Sequence, residues 1–255
     1  MRILLSNDDG IESRGLEALV RALHADHEVV LSAPLQQQSG MAHALTVRRP
    51  MELVQNKRLE EKYGVEAWAV AGTPTDSVKL YLEALAETKP DVVISGINHG
   101  ANLATDILYS GTVGAALEGF LHEIPSFAVS LDIESEIPYE EAAVIFAAYM
   151  EDVLAEYSGT GEKHAFLYNV NFPRRFSEAG PEFVLSRQGG RDYKNAFQRE
   201  ERADGRVFYT MGGDIWDTDK GEATDIYAVE AGLIAVTPLI TDMTDYRVLD
   251  ERLQK

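Results

Sequence analysis

The chain has 255 residues, enough for one substantial core, and its 45% hydrophobic and 25% charged shares are those of an ordinary globular protein. A formal net charge of −19 argues against a face for nucleic-acid polymers or anionic membranes, but not against a small anion where a bound cation reverses the local field. With no cysteine, disulfides, thiolate metal sites and cysteine nucleophiles are excluded.

RILLS (2–6) is a short apolar strand that the N-terminus enters directly, with neither the n-region nor the h-region of a signal peptide. A cytoplasmic protein is the resulting expectation. Leu16, Leu19, Val20 and Leu23 fall at helical spacing within 13–26, and EVVLSAP (28–34) is a second strand stopped by Pro34. After a polar stretch come a strand at 67–72 and a helix at 73–87, started by Thr73 with Pro74 in its first turn. A fourth strand at 91–96, a helix at 110–123 and a strand at 125–131 follow. The pattern continues with a long helix at 139–157 and a strand at 165–173. The longest apolar run, AAVIFAAYM (142–150), is too short to span a bilayer.

Apolar strands without alternation, separated by helices, predict an α/β fold with a parallel sheet covered on both faces. Ligands of such sheets bind beyond the carboxyl ends of the strands. Asp8-Asp9 follow the first strand, Gln36 to Gly40 the second, and Asn98 to Asn102 the fourth. Residues 174–224 are polar and Gly-rich, which predicts extended hairpins and an oligomerisation or lid element. Residues 226–239 return to strand-like composition, and 240–255 form an acidic-to-mixed tail. The whole is read as one domain, with a core over 1–173 and a hairpin region over 174–255.

Adjacent carboxylates repel, and a hard cation such as Mg²⁺ or Mn²⁺ relieves that repulsion. Asp8 and Asp9 fit either such a site or a solvated turn closed by Gly10; their place at a strand's carboxyl end favours the cation. Asn98 and Asn102 offer neutral oxygens in SGINHGAN, and Ser39 offers a hydroxyl in QQQSG, although each alone is an ordinary loop residue. Ser110, Gly111 and Thr112 open a helix, where free N–H groups make an anion site or the hydroxyls simply cap. His43 and His99 lie in the two candidate site loops and are weaker candidates for proton donation or phosphate binding. No histidine pair has zinc-ligand spacing, and no G-x-S-x-G elbow supports a serine hydrolase.

ILLSNDDG, the SG at 39–40, GTPTDSV, VVISGIN, GAN, YSGTV, ALEG, SFAVSL, NVNFP, the TD at 224–225 and AVTPL run in order over residues 3–239. Together they resemble the SurE family of stationary-phase survival proteins, metal-dependent acid phosphatases and 5′/3′-nucleotidases. The resemblance implies a Rossmann-like, mostly parallel sheet flanked by helices, with a hairpin-rich C-terminal oligomerisation region. It implies one divalent cation per subunit, Mg²⁺ or Mn²⁺, on Asp8, Asp9, Ser39 and Asn98, with Asp8, Asp9 and Asn98 catalytic. Ser39, Asn102, Ser110, Gly111 and Thr112 would meet the substrate, a nucleoside monophosphate, with other phosphomonoesters or short polyphosphate as further substrates. Homodimers or tetramers would form through the C-terminal region. The competing reading is a non-catalytic Mg²⁺-binding regulatory or nucleotide-sensing module. Against it, VVISGIN offers Asn where a receiver domain needs its phosphoacceptor Asp.

Overall fold

Strands that are apolar on both faces must be covered on both, and the first two-thirds of the chain supplies helices for each side. In the computed structural model, which describes residues 1–159 and 164–253, the order opens β1 (Arg2–Ser6), α1 (Arg14–Leu23) and β2 (Glu28–Pro34). β3 (Leu53–Gln55), α2 (Lys57–Tyr63), β4 (Glu66–Val70) and α3 (Pro74–Leu80) follow, α3 running into a π-helical turn at Tyr81–Leu85. Next come β5 (Val92–His99), a 3-10 helix (Ala104–Tyr109), α4 (Gly111–Leu121), β6 (Ser126–Leu131), α5 (Tyr139–Gly159) and β7 (Leu167–Phe172). The remainder comprises β8 (Phe183–Leu185), β9 (Gly190–Lys194), β10 (Phe197–Glu201), β11 (Val207–Met211), β12 (Asp214–Asp219), α6 (Asp225–Glu230), β13 (Ile234–Leu239) and α7 (Tyr246–Leu253).

Nine strands form one mixed sheet in the order β3-β4-β2-β1-β5-β6-β7-β13-β8. From β4 to β7 every neighbour is parallel, while β3 pairs antiparallel with β4, and β13 antiparallel with β7. Alternate residues of β1 feed opposite cores, as the period-2 pleat requires. Ile3 and Leu5 join Leu16, Leu19 and Phe146 of α1 and α5, and Leu4 meets Val78 and Ala115 of α3 and α4. β2, β1 and β5 are neighbours, so the loops after them converge on one rim.

The strands at 2–6 and 28–34 fall where the sequence predicts them. Thr73 caps α3 in a reciprocal box with Asp76, and Ser110 caps α4. The polar stretch after β2 contains β3 and α2, whose single buried residue, Leu59, gives no periodic signal. The strand-like reading of 226–239 divides in two: residues 225–230 are helical and only 234–239 are extended. Thr224 accepts from the Tyr227 N–H at 3.2 Å, and Ile226, Ala228 and Val229 are the buried apolar residues. Within 174–224, β9 pairs antiparallel with β12 and β10 with β11. The Lys194↔Asp214 and Phe197↔Met211 registers make these two pairs one continuing ribbon with an interruption at 195–196.

Gly15 lets α1 approach β5 closely, because a Cβ there would overlap the Ile97 carbonyl oxygen. Gly15→Ala should therefore destabilise the fold by about 1–3 kcal/mol, the usual cost of overpacking. Urea unfolding should show a lowered midpoint with an unchanged m-value.

Candidate functional site

The site begins with a turn that fixes Asp8 and Asp9 at the end of β1. Asn7, fully buried, donates to the Gly10 carbonyl at 2.9 Å and to Ser13 Oγ at 2.6 Å, and accepts from the Gly10 N–H at 3.1 Å. This ties the turn to the cap of α1 and leaves Asp8 and Asp9 projecting into a cleft of about 290 Å³. Asp9 Oδ2 accepts from the His99 N–H at 3.0 Å, and Asp9 Oδ1 from Gln37 Nε2 at 3.2 Å. Gln37 also donates to Ser39 Oγ at 3.1 Å, while the Gln38 N–H donates to the Asp8 carbonyl at 2.7 Å. The second loop is thereby held against the first.

Asn98, at the carboxyl end of β5, and Asn102, in the loop after it, line the same cleft. Asn98 donates its amide to the Gly100 carbonyl at 2.8 Å, which turns its oxygen away from that bond and leaves it available as a ligand. Asn102 is fixed from β6 and β7: its amide donates to Ser130 Oγ at 2.8 Å and its N–H to Asn171 Oδ1 at 2.8 Å. Its carbonyl accepts from Asn169 at 2.9 Å and Asn171 at 3.1 Å. These positioning residues were not among the sequence candidates. Asn169 and Asn171 stand two apart in NVNFP, so both point from one face of β7, and that spacing is the signal that could have found them.

The start of α4 closes the third side. Ser110 lines the cleft and accepts from the Val113 N–H at 3.1 Å. Thr112 does not line it: fully buried, it donates its hydroxyl to Asp8 Oδ1 at 2.6 Å. Gly111 lies behind Asp8, where a Cβ would come within 2.9 Å of the Asp8 Cβ. Of the three, then, Ser110 faces the cleft, while Gly111 and Thr112 seat Asp8.

Asp8 is only 5% exposed. Burial, with help from the Asp9 charge and against the Thr112 hydrogen bond, pushes its carboxyl up to about 6. A buried carboxylate beside another carboxylate, with no cationic side chain among its influences, is suited to an external cation. The donors around it (Asp8, Asp9, Ser39 and Asn98) are all oxygen, the preference of Mg²⁺ and Mn²⁺.

The remaining wall is Asp106, Tyr109 and Tyr193, none of which the sequence singled out. Tyr193 reaches in from β9 and donates its hydroxyl to Asp106 Oδ1 at 2.8 Å; burial and Asp106 push the phenol up to about 12. Arg191, 10% exposed at its side chain, bridges Asp106 at 3.1 Å and Asp217 at 2.7 Å. Thr105 Oγ1 donates to the Arg191 carbonyl. The ribbon's base is thus joined to the 3-10 helix. His99 lines the rim and shares a 3.0 Å hydrogen bond with the Tyr139 hydroxyl, whereas His43 lies outside the cleft.

A Glu/His cluster able to hold one divalent ion is also present among the described residues: Glu83, Glu118 and His122 bring ligand atoms within 4.8 Å of one another. Here the cationic position is already served from within the chain. Lys79 Nζ lies 2.6 Å from Glu83 Oε1 and 3.0 Å from Glu118 Oε1, and His43 Nε2 lies 2.8 Å from Glu118 Oε2. Burial would raise the Glu118 carboxyl, but His43 and Lys79 outweigh it and hold it below the usual range. Among the described residues no Lys or Arg lines the Asp8–Asp9 cleft, which makes it the better fit to a metal.

Comparison with known proteins shows the family. The family described as Survival protein SurE matches residues 3–195. A 5′-nucleotidase SurE of Pelotomaculum thermopropionicum is 41% identical over 256 residues, covering 100% of this chain and 95% of that protein. One from Heliobacterium modesticaldum is 40% identical, covering 98% and 90%. The crystal structure of the Sure protein from Aquifex aeolicus superposes with a TM-score of 0.78 at 36% identity, covering 100% of both chains.

The Asp8 environment gives a signed pH dependence. In metal-free protein its folded-state value of about 6 exceeds the ordinary 3.8, so its contribution to stability is present below pH 4 and lost as pH rises through 6. At pH 8 the ionised group should cost about 3 kcal/mol, from the free-energy equivalent of the shift. Asp8→Asn should therefore be more stable than the parent at pH 8 in EDTA, with the advantage vanishing by pH 4. Urea titrations across that range check it.

Proposed function

The chain belongs to the SurE family, and from that premise we propose that its cleft hydrolyses nucleoside 5′- and 3′-monophosphates to nucleoside and phosphate with a divalent cation. It is a phosphoric monoester hydrolase of the 5′-nucleotidase and acid phosphatase type. The observation that carries the reading is the buried Asp8 carboxylate, paired with Asp9 and faced by Ser39, Asn98 and the N-terminus of α4.

Asp8, Asp9, Ser39 and Asn98 would hold the cation, Mg²⁺ or Mn²⁺. When bound, it supplies Lewis acidity toward a phosphoryl oxygen and lowers the pKa of water. The protein's own contribution is orientation. Thr112 fixes one Asp8 oxygen, and the His99 N–H and Gln37 fix Asp9, so neither carboxylate must reorganise during the reaction. Ser110, the residue of the α4 start that lines the cleft, would meet an oxygen of the transferring phosphoryl group with its hydroxyl. Asn102, held from β6 and β7, would orient a phosphate or sugar oxygen. Water is the favoured nucleophile, because both aspartates are already engaged by donors.

Assembly into a homodimer or tetramer is the matching proposal for the C-terminal region. It is supported by the exposed apolar residues Phe197, Tyr209, Met211 and Ile215 on the ribbon. No described helix is long and apolar enough to cross a membrane. The proposed compartment is the cytoplasm.

Mn²⁺-supplemented protein should release phosphate from 5′-AMP, and EDTA should abolish that release. Asp9→Asn should lower kcat/KM about a hundredfold or more, the equivalent of about 3 kcal/mol of transition-state stabilisation. No release from any mononucleotide with either metal would favour the nucleotide-sensing alternative, and full activity in Asp9→Asn would remove Asp9 from the metal site.

A further inference from the structure

Ser39 is carried by a segment with little structure of its own. Residues 36–52 between β2 and β3 form no helix or strand, and Ser39 is exposed. Its position therefore depends on what holds the loop. Upstream, Gln37 and the Gln38 N–H tie it to Asp9 and Asp8. Downstream, the backbone is held by Ala42 N–H donating to the Tyr109 carbonyl at 3.0 Å and by Thr73 donating to the Ala44 carbonyl at 2.7 Å. Gly114 of α4 allows close contact there, since a Cβ would overlap the Ala42 carbonyl oxygen.

His43 reaches from this same stretch to Glu118 on α4, 2.8 Å away, at a side chain only 3% exposed. The two Glu118 oxygens have different duties. Oε1 receives Lys79 at 3.0 Å, with His122 at 3.5 Å, and both come from helical elements or their ends. Oε2 is met by His43. An ionised carboxylate only accepts, so His43 Nε2 carries the hydrogen and donates. If the loop lifted, Oε2 would lose that donor inside the protein, where an unpaired oxygen of a charged group is costly. Lys79, coming from α3, would stay on Oε1 and keep the group charged. The buried charge on α4 thus pulls on the loop through one of its oxygens.

We propose that the His43–Glu118 pair is a latch that holds the Ser39 loop down on α4, making His43 and Glu118 positioning residues for the divalent-metal site. α4 then organises the site at two points: Thr112 in its first turn seats Asp8, and Glu118 two turns on seats the loop that brings Ser39. The metal half of this proposal rests on the reading of Ser39 as a ligand. The latch itself rests on the contacts alone.

The loop carries its own reporter. Arg48 and Arg49 are exposed, and Pro50 blocks cleavage after Arg49, so trypsin can report on the Arg48–Arg49 bond. In metal-free protein, His43→Ala should be cut there at least tenfold faster than the parent, with cleavage elsewhere unchanged. Its Mn²⁺ affinity, measured by titration calorimetry, should fall about tenfold, and kcat at saturating Mn²⁺ should stay within threefold. His43→Gln, which restores an N–H donor, should recover both cleavage resistance and affinity. Glu118→Gln serves as the second variant and should reproduce the faster cleavage. Parental cleavage and Mn²⁺ affinity in His43→Ala would overturn the latch, whether or not AMP is hydrolysed. Faster cleavage with unchanged affinity would overturn its link to the metal and Ser39 as a ligand. A parent that resists trypsin and binds Mn²⁺ but leaves every mononucleotide intact would instead fault the proposed hydrolysis and spare the latch.

Discussion

Thr112 Oγ1 donates to Asp8 Oδ1 across 2.6 Å, joining the end of β1 to the first turn of α4 where water is nearly excluded. The bond sits where a charge is least welcome, and everything near it compensates. Gly111 has no side chain because Asp8 occupies that space, and Asn7 spends its amide on the turn that aims the carboxylate. A solvated aspartate would need none of this support. The sheet order makes the arrangement feasible: β2, β1 and β5 are adjacent and parallel, so their three loops meet without any long excursion of the chain.

Behind the cleft, polar residues replace the apolar ones that fill the strands lower down. Asn7 follows this rule just past β1, Ser130 on β6, and Asn169 and Asn171 on β7; all four are fully buried. Three of them bond to Asn102, which has no regular secondary structure to hold it. Buried polar groups of this kind specify one geometry more strictly than apolar packing does, because each misplacement leaves a donor or acceptor unpaired. The apolar lower sheet supplies stability, and the polar rim supplies position.

The central strands, α1, α3, α4 and α5 were legible because their signals are local: apolar runs, helical spacing, and caps such as Thr73 and Ser110. α6 was not, since six helical residues inside a longer apolar run look the same as a strand until their tertiary contacts are known. The ribbon was legible as extended hairpins but not strand by strand, for the opposite reason: the faces of its outer pair are exposed, so no burial pattern marks the strand bounds. The same division holds at the site. Asp8, Asp9, Ser39, Asn98, Asn102 and Ser110 follow strands or open a helix, the ordered motifs of the family resemblance single them out together, and the fold brings them to one cleft. Thr112 and Gly111 were read together with Ser110 as the helix start, but they pack against Asp8 while Ser110 lines the cleft, because a helix start presents only some of its residues outward. Tyr193 and Asp106 meet across 87 positions of sequence, and nothing local to either residue distinguishes it from a surface side chain.

The ribbon is anchored at its base. Tyr193 and Arg191 fasten that base to the 3-10 helix, while Phe197, Tyr209 and Met211 stand exposed farther out on the paired strands β10 and β11. At about 3.3 Å per residue, the tip lies tens of ångströms from the cleft. One continuous stretch of chain thus supplies both a wall of the cleft, through Tyr193, and an exposed apolar arm, through Phe197, Tyr209 and Met211.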